Sequence, residues 1–234
     1  INKNLEEMAQ AIFKSWFVDF EPFQDGEFVE SELGMIPKGW EVKRVEEICT
    51  VQGGGTPKTK VEEYWDGDIL WATPSDMTSK KSLVIYDTDR KITEAGLNNS
   101  STKLLPVGSV LLTSRATIGY VAIAMKEICT NQGFINIICN KSVSNYYMLF
   151  YLKSNKDRII EMANGSTFLE VSKKAFKEMK MLVPPLKVIE EFNRTVEPII
   201  RSIYLREVES EKLSTLRDTL LPKLMSGEIR VPLE

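Results

Sequence analysis

The chain has 234 residues and 26.6 kDa, with 43% apolar and 27% charged side chains and a formal net charge of −3. This is an ordinary composition for one globular domain with an extension, and no apolar run approaches the roughly 18 residues a membrane-spanning helix needs. Histidine is absent altogether, which excludes Ser-His-Asp and Cys-His catalysis, HExxH zinc sites and imidazole acid–base chemistry.

The N-terminus lacks the charged, apolar and small-residue pattern of a secretory leader. It opens on Ile1 rather than Met, which fits a trimmed or partial product. The three cysteines, Cys49, Cys129 and Cys139, form no CxxC pair and read as reduced, buried thiols of a cytoplasmic protein. Neither GxxxxGK[ST] nor GxGxxG occurs. Gly53-Gly54-Gly55-Thr56-Pro57-Lys58 is glycine-rich, but Pro57 stands where a phosphate loop needs a free N–H. No Asn/Asp-Pro-Pro-aromatic methyltransferase motif is present either. Binding or assembly is therefore expected rather than self-contained catalysis, with no metal and no cofactor held by this chain.

Charge is unevenly spread. Residues 1–50 carry five basic and eleven acidic side chains, residues 51–183 seventeen and thirteen, and residues 184–234 eight and nine. The middle is the basic part, which suits a nucleic-acid partner and equally suits a solvated surface.

In chain order, Leu5, Met8, Ile12, Phe13, Trp16 and Phe17 fall at helical spacing and predict a helix from Asn4, its N-cap, to Phe20, ended by Pro22. The helical unit is set at residues 1–21. Residues 22–38, with Pro22, Gly26, Gly34 and Pro37, read as a connecting loop. From 39 to 183 short apolar runs alternate with turn signals. Strands are expected at Val107–Thr113, Gly119–Ala124, Phe134–Cys139 and Met179–Val183, and helices at Met148–Leu152, Lys156–Met162 and Lys173–Glu178. The fold class is α+β: a mixed domain with a twisted, largely antiparallel sheet.

Pro184-Pro185 closes that domain. Beyond it, Ile189, Phe192, Val196, Ile199 and Ile203, then Leu213, Leu216, Leu220 and Leu224, recur at steps of three and four. They predict one long coiled-coil-type helix within residues 184–227, followed by a tail at 228–234. Pro198 must then be a first-turn proline or a kink. A helix from 188 to 225 would extend roughly 57 Å, too long for one small core to cover. Shifting the first segment by 208 positions lays Leu5 on Leu213, Met8 on Leu216, Ile12 on Leu220 and Trp16 on Leu224. The chain thus reads as one full repeat, beginning at the end of one long helix and finishing at the end of the next; two unrelated amphipathic helices would also overlay in this way.

Several motifs carry a resemblance: Leu5-Glu6-Glu7-Met8-Ala9-Gln10-Ala11-Ile12-Phe13-Lys14-Ser15-Trp16-Phe17-Val18-Asp19-Phe20, Gly34-Met35-Ile36-Pro37-Lys38-Gly39-Trp40 and Gly54-Gly55-Thr56-Pro57. Tyr64-Trp65-Asp66-Gly67-Asp68-Ile69-Leu70-Trp71, Thr73-Pro74-Ser75-Asp76, Thr130-Asn131-Gln132-Gly133-Phe134, Pro184-Pro185-Leu186 and Leu220-Leu221-Pro222-Lys223-Leu224-Met225-Ser226-Gly227-Glu228-Ile229 complete the set. In this order they cover nearly the whole chain, which resembles the specificity subunit of type I restriction–modification systems in a half-length form with one target-recognition domain. The resemblance implies a non-catalytic subunit that reads one half of a bipartite double-stranded DNA target. It implies docking of methyltransferase subunits, which hold S-adenosylmethionine, and for restriction the motor and nuclease subunits. The apolar stripe implies an antiparallel homodimer about a two-fold axis.

Base reading calls for forked donors and amides, and phosphate binding for cations. Candidates are Lys58 and Lys60 after the glycine loop; Thr73, Ser75, Lys80 and Lys81 around the following turn; and Ser114, Arg115 and Thr117 at a polar break between strands. Asn131 and Gln132 stand at a strand start, and Ser166, Lys173 and Lys174 precede the final strand. Arg115 suits guanine O6 and N7 through its planar fork, although an ion pair would also account for it. Asn131 and Gln132 suit adenine, or else satisfy turn backbone. Asp66, Asp68 and Asp76 with Lys80 are too poorly spaced for a nuclease metal site, and Trp65 and Trp71 read as anchors rather than base-stacking platforms. The competing functional class is a helix-driven oligomeric scaffold with no nucleic-acid role.

Overall fold

The computed structural model describes residues 1–165 and 169–229. Helix α1 spans Asn2–Phe17, two residues earlier than its spacing predicts, so Asn4 lies inside the helix and caps nothing. Residues 22–38 are not a plain loop. After a 3-10 turn at Glu21–Phe23 they form a hairpin of β1 (Phe28–Ser31) and β2 (Gly34–Pro37). Gly34, at φ +95°, supplies the left-handed turn residue.

The lobe that follows contains β3 (Glu41–Arg44), α2 (Val45–Ile48), β4 (Thr50–Gly53), β5 (Trp65–Ala72), α3 (Pro74–Lys80), β6 (Val84–Ile85), β7 (Arg90–Ile92) and α4 (Glu94–Asn98). It continues with β8 (Val110–Thr113), β9 (Val121–Ala124), β10 (Ile128–Thr130), β11 (Phe134–Ile138), α5 (Asn145–Ser154), α6 (Lys156–Glu161), α7 (Lys173–Glu178) and β12 (Lys180–Val183). The expected strands and helices of residues 107–183 are all present, with ends moved by a few residues.

Instead of one sheet there are several. The central one has the order β4-β11-β8-β9-β6, flanked by β10-β5-β7 and by the pair β12-β3. Pairing is antiparallel apart from β10 with β5 and β6 with β9. Strands β8, β9 and β10 are buried along their whole length, which is why their sequences are continuous apolar runs rather than alternating ones. Helix α5 covers the central sheet with Tyr147, Met148, Leu149, Phe150 and Leu152. The buried Tyr147 hydroxyl donates to the Leu182 carbonyl at 2.7 Å, tying α5 to β12.

Helix α8 runs from Leu186 to Met225, unbroken through Pro198 and Pro222. Pro198 is exposed, so the Arg194 carbonyl that loses its N–H partner can face water. The main core joins lobe and helices: Ile189, Phe192, Val196, Ile200 and Ile203 of α8 are buried with Phe13 and Phe17 of α1 and Phe150 of α5. The Phe192 ring lies 5.0 Å from Phe17, 5.9 Å from Phe13 and 6.2 Å from Trp16. The aromatic face of α1 is therefore used for packing on the long helix, and the two helices run antiparallel, since Asn2 Nδ2 reaches the Ile203 carbonyl at 3.5 Å. Tyr204, Glu207 and Glu211 still touch Tyr86 and Ser82 of the lobe, whereas farther along α8 Leu213 is 60% exposed and Leu216 55%.

Cys49 and Cys129 are buried and Cys139 partly so, with no disulfide among them. Burial pushes the Cys49 thiol up to about 12 and the Cys129 thiol to about 11, so neither is a reactive thiolate.

Candidate nucleic-acid interface

The pairing of β4, β11 and β8 sets Gly53 opposite Ile135 and Phe134 opposite Thr113. The segments beyond these residues therefore share one edge of the lobe. Main-chain bonds lace them together. Gly55 N–H donates to the Thr130 carbonyl at 2.9 Å, Asn131 N–H to Ala72 at 2.9 Å, Ser114 N–H to Gly133 at 2.8 Å and Val171 N–H to Ser114 at 3.0 Å. The Trp71 indole N–H donates to the Gly55 carbonyl at 3.0 Å, and that of Trp65 to Lys58 at 3.3 Å. The indoles meet edge to face at 5.1 Å, and the Arg90 guanidinium lies 3.6 Å above Trp65. Both tryptophans are buried and anchor the glycine loop from below.

The glycines explain how the loop lies so close. A Cβ on Gly54 would sit 2.0 Å from the Asn131 carbonyl oxygen, and one on Gly55 2.6 Å from the Thr102 nitrogen. Only glycine permits that approach. Beneath it, the buried Asn136 side chain donates to Thr130 Oγ1 at 2.8 Å.

The structure divides the sequence-derived candidates. Lys58, Lys60, Arg115, Thr117, Gln132 and Lys173 are exposed on or beside this edge, with Asn131 half-buried among them and Ser114 buried beneath. Lys58, Lys60, Lys173 and Lys174 make no ion pair among the described residues. Arg115 does: its Nε lies 2.8 Å from Glu170, so its fork is partly engaged within the protein. Asn131 Oδ1 accepts the Gly133 N–H at 2.8 Å, a turn-forming role. The Thr56 hydroxyl donates to Gln132 Oε1 at 2.6 Å, which fixes that side chain and leaves its amide hydrogens for another acceptor.

Thr73 and Asp76 build the start of α3, where the sequence had suggested only a turn. The Asp76 carboxylate accepts both the N–H and the hydroxyl of Thr73 at 2.7 Å, and the Asp89 N–H at 2.8 Å. Ser75 is exposed on the first turn of that helix. Lys80 and Lys81 sit at its far end, away from the edge. Lys80 turns toward α8, 3.7 Å from Glu211 and 4.9 Å from the centre of the Tyr86 ring. Ser166 lies outside the described residues. Thr56 and Glu170 were not singled out by the sequence; each contacts a candidate more than 50 positions away, a pairing no local pattern reveals.

A loop-rich edge with unpaired lysines, tethered amides and no grouping of Cys, Asp or Glu able to hold a metal among the described residues defines a binding lobe carried on a helical arm. Solved structures share this architecture. The S subunit of a type I restriction–modification system from M. genitalium superposes with a TM-score of 0.64, at 18% identity, over 96% of this chain and 54% of that one. The HsdS subunit from Thermoanaerobacter tengcongensis does so with a TM-score of 0.56, at 19% identity, over 97% and 52%. Residues 37–214 match the family described as the type I restriction modification DNA specificity domain, and the chain belongs to that family. The MjaIX specificity subunit of Methanocaldococcus jannaschii is 44% identical over 68% of this chain and 37% of its own length; the HindI specificity subunit of Haemophilus influenzae is 26% identical over 98% and 62%. The chain spans about half the length of the curated relatives it matches. Among the described residues no helix is long and apolar enough to cross a membrane.

Proposed function

We propose that this chain is the sequence-reading subunit of a type I restriction–modification complex and that its lobe reads one half of a bipartite DNA target. The observation that carries the reading is the convergence of Lys58, Lys60, Lys173 and Gln132 on one glycine-tightened edge. The lysines contact phosphates, and Gln132, held by Thr56, offers its amide hydrogens to a base edge. Arg115 reads a guanine only after leaving Glu170, so that carboxylate opposes non-specific phosphate binding. Asn131, Ser114 and Thr73 act by holding the loops. The chain itself performs no chemistry. Methyltransferase subunits that bind S-adenosylmethionine dock on the helical arm, and motor and nuclease subunits join for restriction. A second copy of the chain, paired through α8, supplies the other half-site.

Duplex DNA binding by the complex with its methyltransferase partner, measured across a salt series, tests this. Each phosphate contact releases counterions, so log K should fall linearly with log salt, and Lys58→Ala with Lys173→Ala should reduce the slope by about two. A flat salt response, or binding unchanged by both substitutions, would leave a helix-driven scaffold as the better account.

A further inference from the structure

The sheet β10-β5-β7 ends beside the glycine loop. Its register sets Cys129 opposite Trp71 and Trp71 opposite Arg90. Arg90 therefore opens β7 two strand spacings, about 10 Å, from the strand that leads into Asn131 and Gln132. Trp65, Trp71, Ile92 and Cys129 form a small apolar cluster under the loop, and Arg90 stands exposed at its margin. Two features fix it there. The Thr88 hydroxyl donates to the Arg90 carbonyl at 2.7 Å and accepts the Trp71 N–H at 3.2 Å. The guanidinium carbon lies 3.6 Å from the centre of the Trp65 ring and 5.8 Å from that of Trp71.

At 3.6 Å the planar group lies flat on the indole, since an N–H aimed into the ring would hold the carbon farther off. Stacking then uses the face of the guanidinium and leaves its N–H donors at the rim. None of them meets an acceptor among the described residues. The other arginines of the lobe are engaged: Arg44 pairs with Glu46 and Glu47, Arg115 with Glu170, and Arg158 faces the Tyr151 hydroxyl. The indole under Arg90 also donates to the Lys58 carbonyl at 3.3 Å, so the fork is tied to the loop that carries Lys58 and Lys60. A long side chain already held in one arrangement loses little freedom on binding.

We infer that Arg90 is a specificity-determining residue of the lobe, reading a guanine through O6 and N7 with the fork that Trp65 holds ready. This rests on the DNA-reading function proposed above and names a residue for it. Arg115 must first give up Glu170, whereas Arg90 has no protein acceptor to leave. The neighbouring lysines supply point charges for phosphates; the stacked fork supplies fixed geometry, and fixed geometry is what tells one base from another.

Selection of the complex with its methyltransferase partner on a pool of randomised duplexes tests this. The unmodified chain, Arg90→Lys and Arg90→Ala are run side by side, and each is then titrated with the selected duplex across a salt series. The unmodified chain should enrich a motif with a guanine, on either strand, at one position where Arg90→Lys lowers the preference by about five- to 150-fold. The other positions should keep theirs. Lysine retains the charge and a cation over Trp65, so the slope of log K against log salt should match that of the unmodified chain. A motif unchanged by both substitutions overturns the inference and leaves Arg90 as packing on Trp65. A loss of affinity equal across sequences, with the Arg90→Ala slope smaller by about one, overturns it in favour of a phosphate contact. Absence of any motif for the unmodified chain overturns the DNA-reading function itself.

Discussion

Residues 186–203 and 204–225 of α8 belong to one unbroken helix and look alike in sequence: both place large apolar side chains at steps of three and four. Their surroundings are opposite. Ile203 is fully buried, whereas Leu213, ten positions on, is 60% exposed. An apolar stripe states only that something covers it. Which molecule does so depends on where the lobe ends, and that is a property of the tertiary fold. The first half is covered by residues of the same chain; in the second, Tyr204, Glu207 and Glu211 still meet the lobe and Leu213, Leu216, Leu220 and Leu224 are exposed.

The largest expected effect comes from breaking the covered half. Phe192→Ala removes a ring packed among Phe13, Trp16, Phe17 and Phe150, and it should cost about 3–5 kcal/mol in chemical denaturation. Leu220→Ala, on the same helix but exposed, should change the stability of the monomer by less than about 0.5 kcal/mol. Similar losses at the two positions would mean that both halves are covered alike.

A smaller effect is expected from disturbing the lobe edge without touching α8. Gly54→Ala drives a methyl group into the Asn131 carbonyl and Thr130 Oγ1. Neither neighbour is the far end of a flexible side chain, so the loop must move, at about 1–3 kcal/mol. DNA affinity should fall with it, while the packing of Phe192 against α1 is unchanged. Intrinsic tryptophan fluorescence separates the two regions, because Trp65 and Trp71 lie under the loop and Trp16 and Trp40 lie in the helical core. A changed helical core with an unchanged loop would contradict the division.

How much of this was legible in the sequence follows the same physics. Helix α8 and the strands β8, β9 and β11 are encoded locally, by periodicity and by apolar runs between turn residues, and they were read close to their true bounds. The hairpin β1–β2 was hidden because neither short strand alternates cleanly: Phe28–Ser31 is nowhere fully buried, and Gly34–Pro37 buries only its last two residues side by side. Strand β5 was hidden because Asp66-Gly67-Asp68 resembles a turn, and its register does slip between Trp65 and Ile69. At the candidate interface the segments were legible but the pairings were not. Lys80 and Lys58 are similar lysines beside loops in the sequence, yet one is drawn to Glu211 of α8 and the other stays exposed at the candidate edge. The partner of Arg115, Glu170, stands 55 positions away and is joined to it only by an isolated bridge between the two segments.

The smallest expected effect lies where cover gives way to exposure on α8. Glu207 accepts a hydrogen bond from Ser82 at 2.5 Å, and Tyr86 donates to Glu211 at 3.0 Å, so two carboxylates clasp the lobe at its last contact with the helix. Burial raises the pKa of Glu207 above the ordinary carboxylate value, with Glu6 adding to the rise and Ser82, Lys80 and Asn2 opposing it. A carboxyl whose pKa is higher in the folded than in the unfolded chain costs stability once both forms are ionised. That cost fades as pH falls through the raised value and is gone below the unfolded one. Glu207→Gln keeps an acceptor for Ser82 and removes the ionisation. At neutral pH the variant should melt about one or two degrees above the unmodified chain, and the difference should shrink steadily as the medium is acidified toward the ordinary glutamate range. Calorimetry of both proteins along one pH series reads the difference directly. A gap that widens on acidification would mean that the charge of Glu207 stabilises the fold through Lys80, and the clasp would then be an ion-pair network instead of a buried carboxyl at the margin of the core.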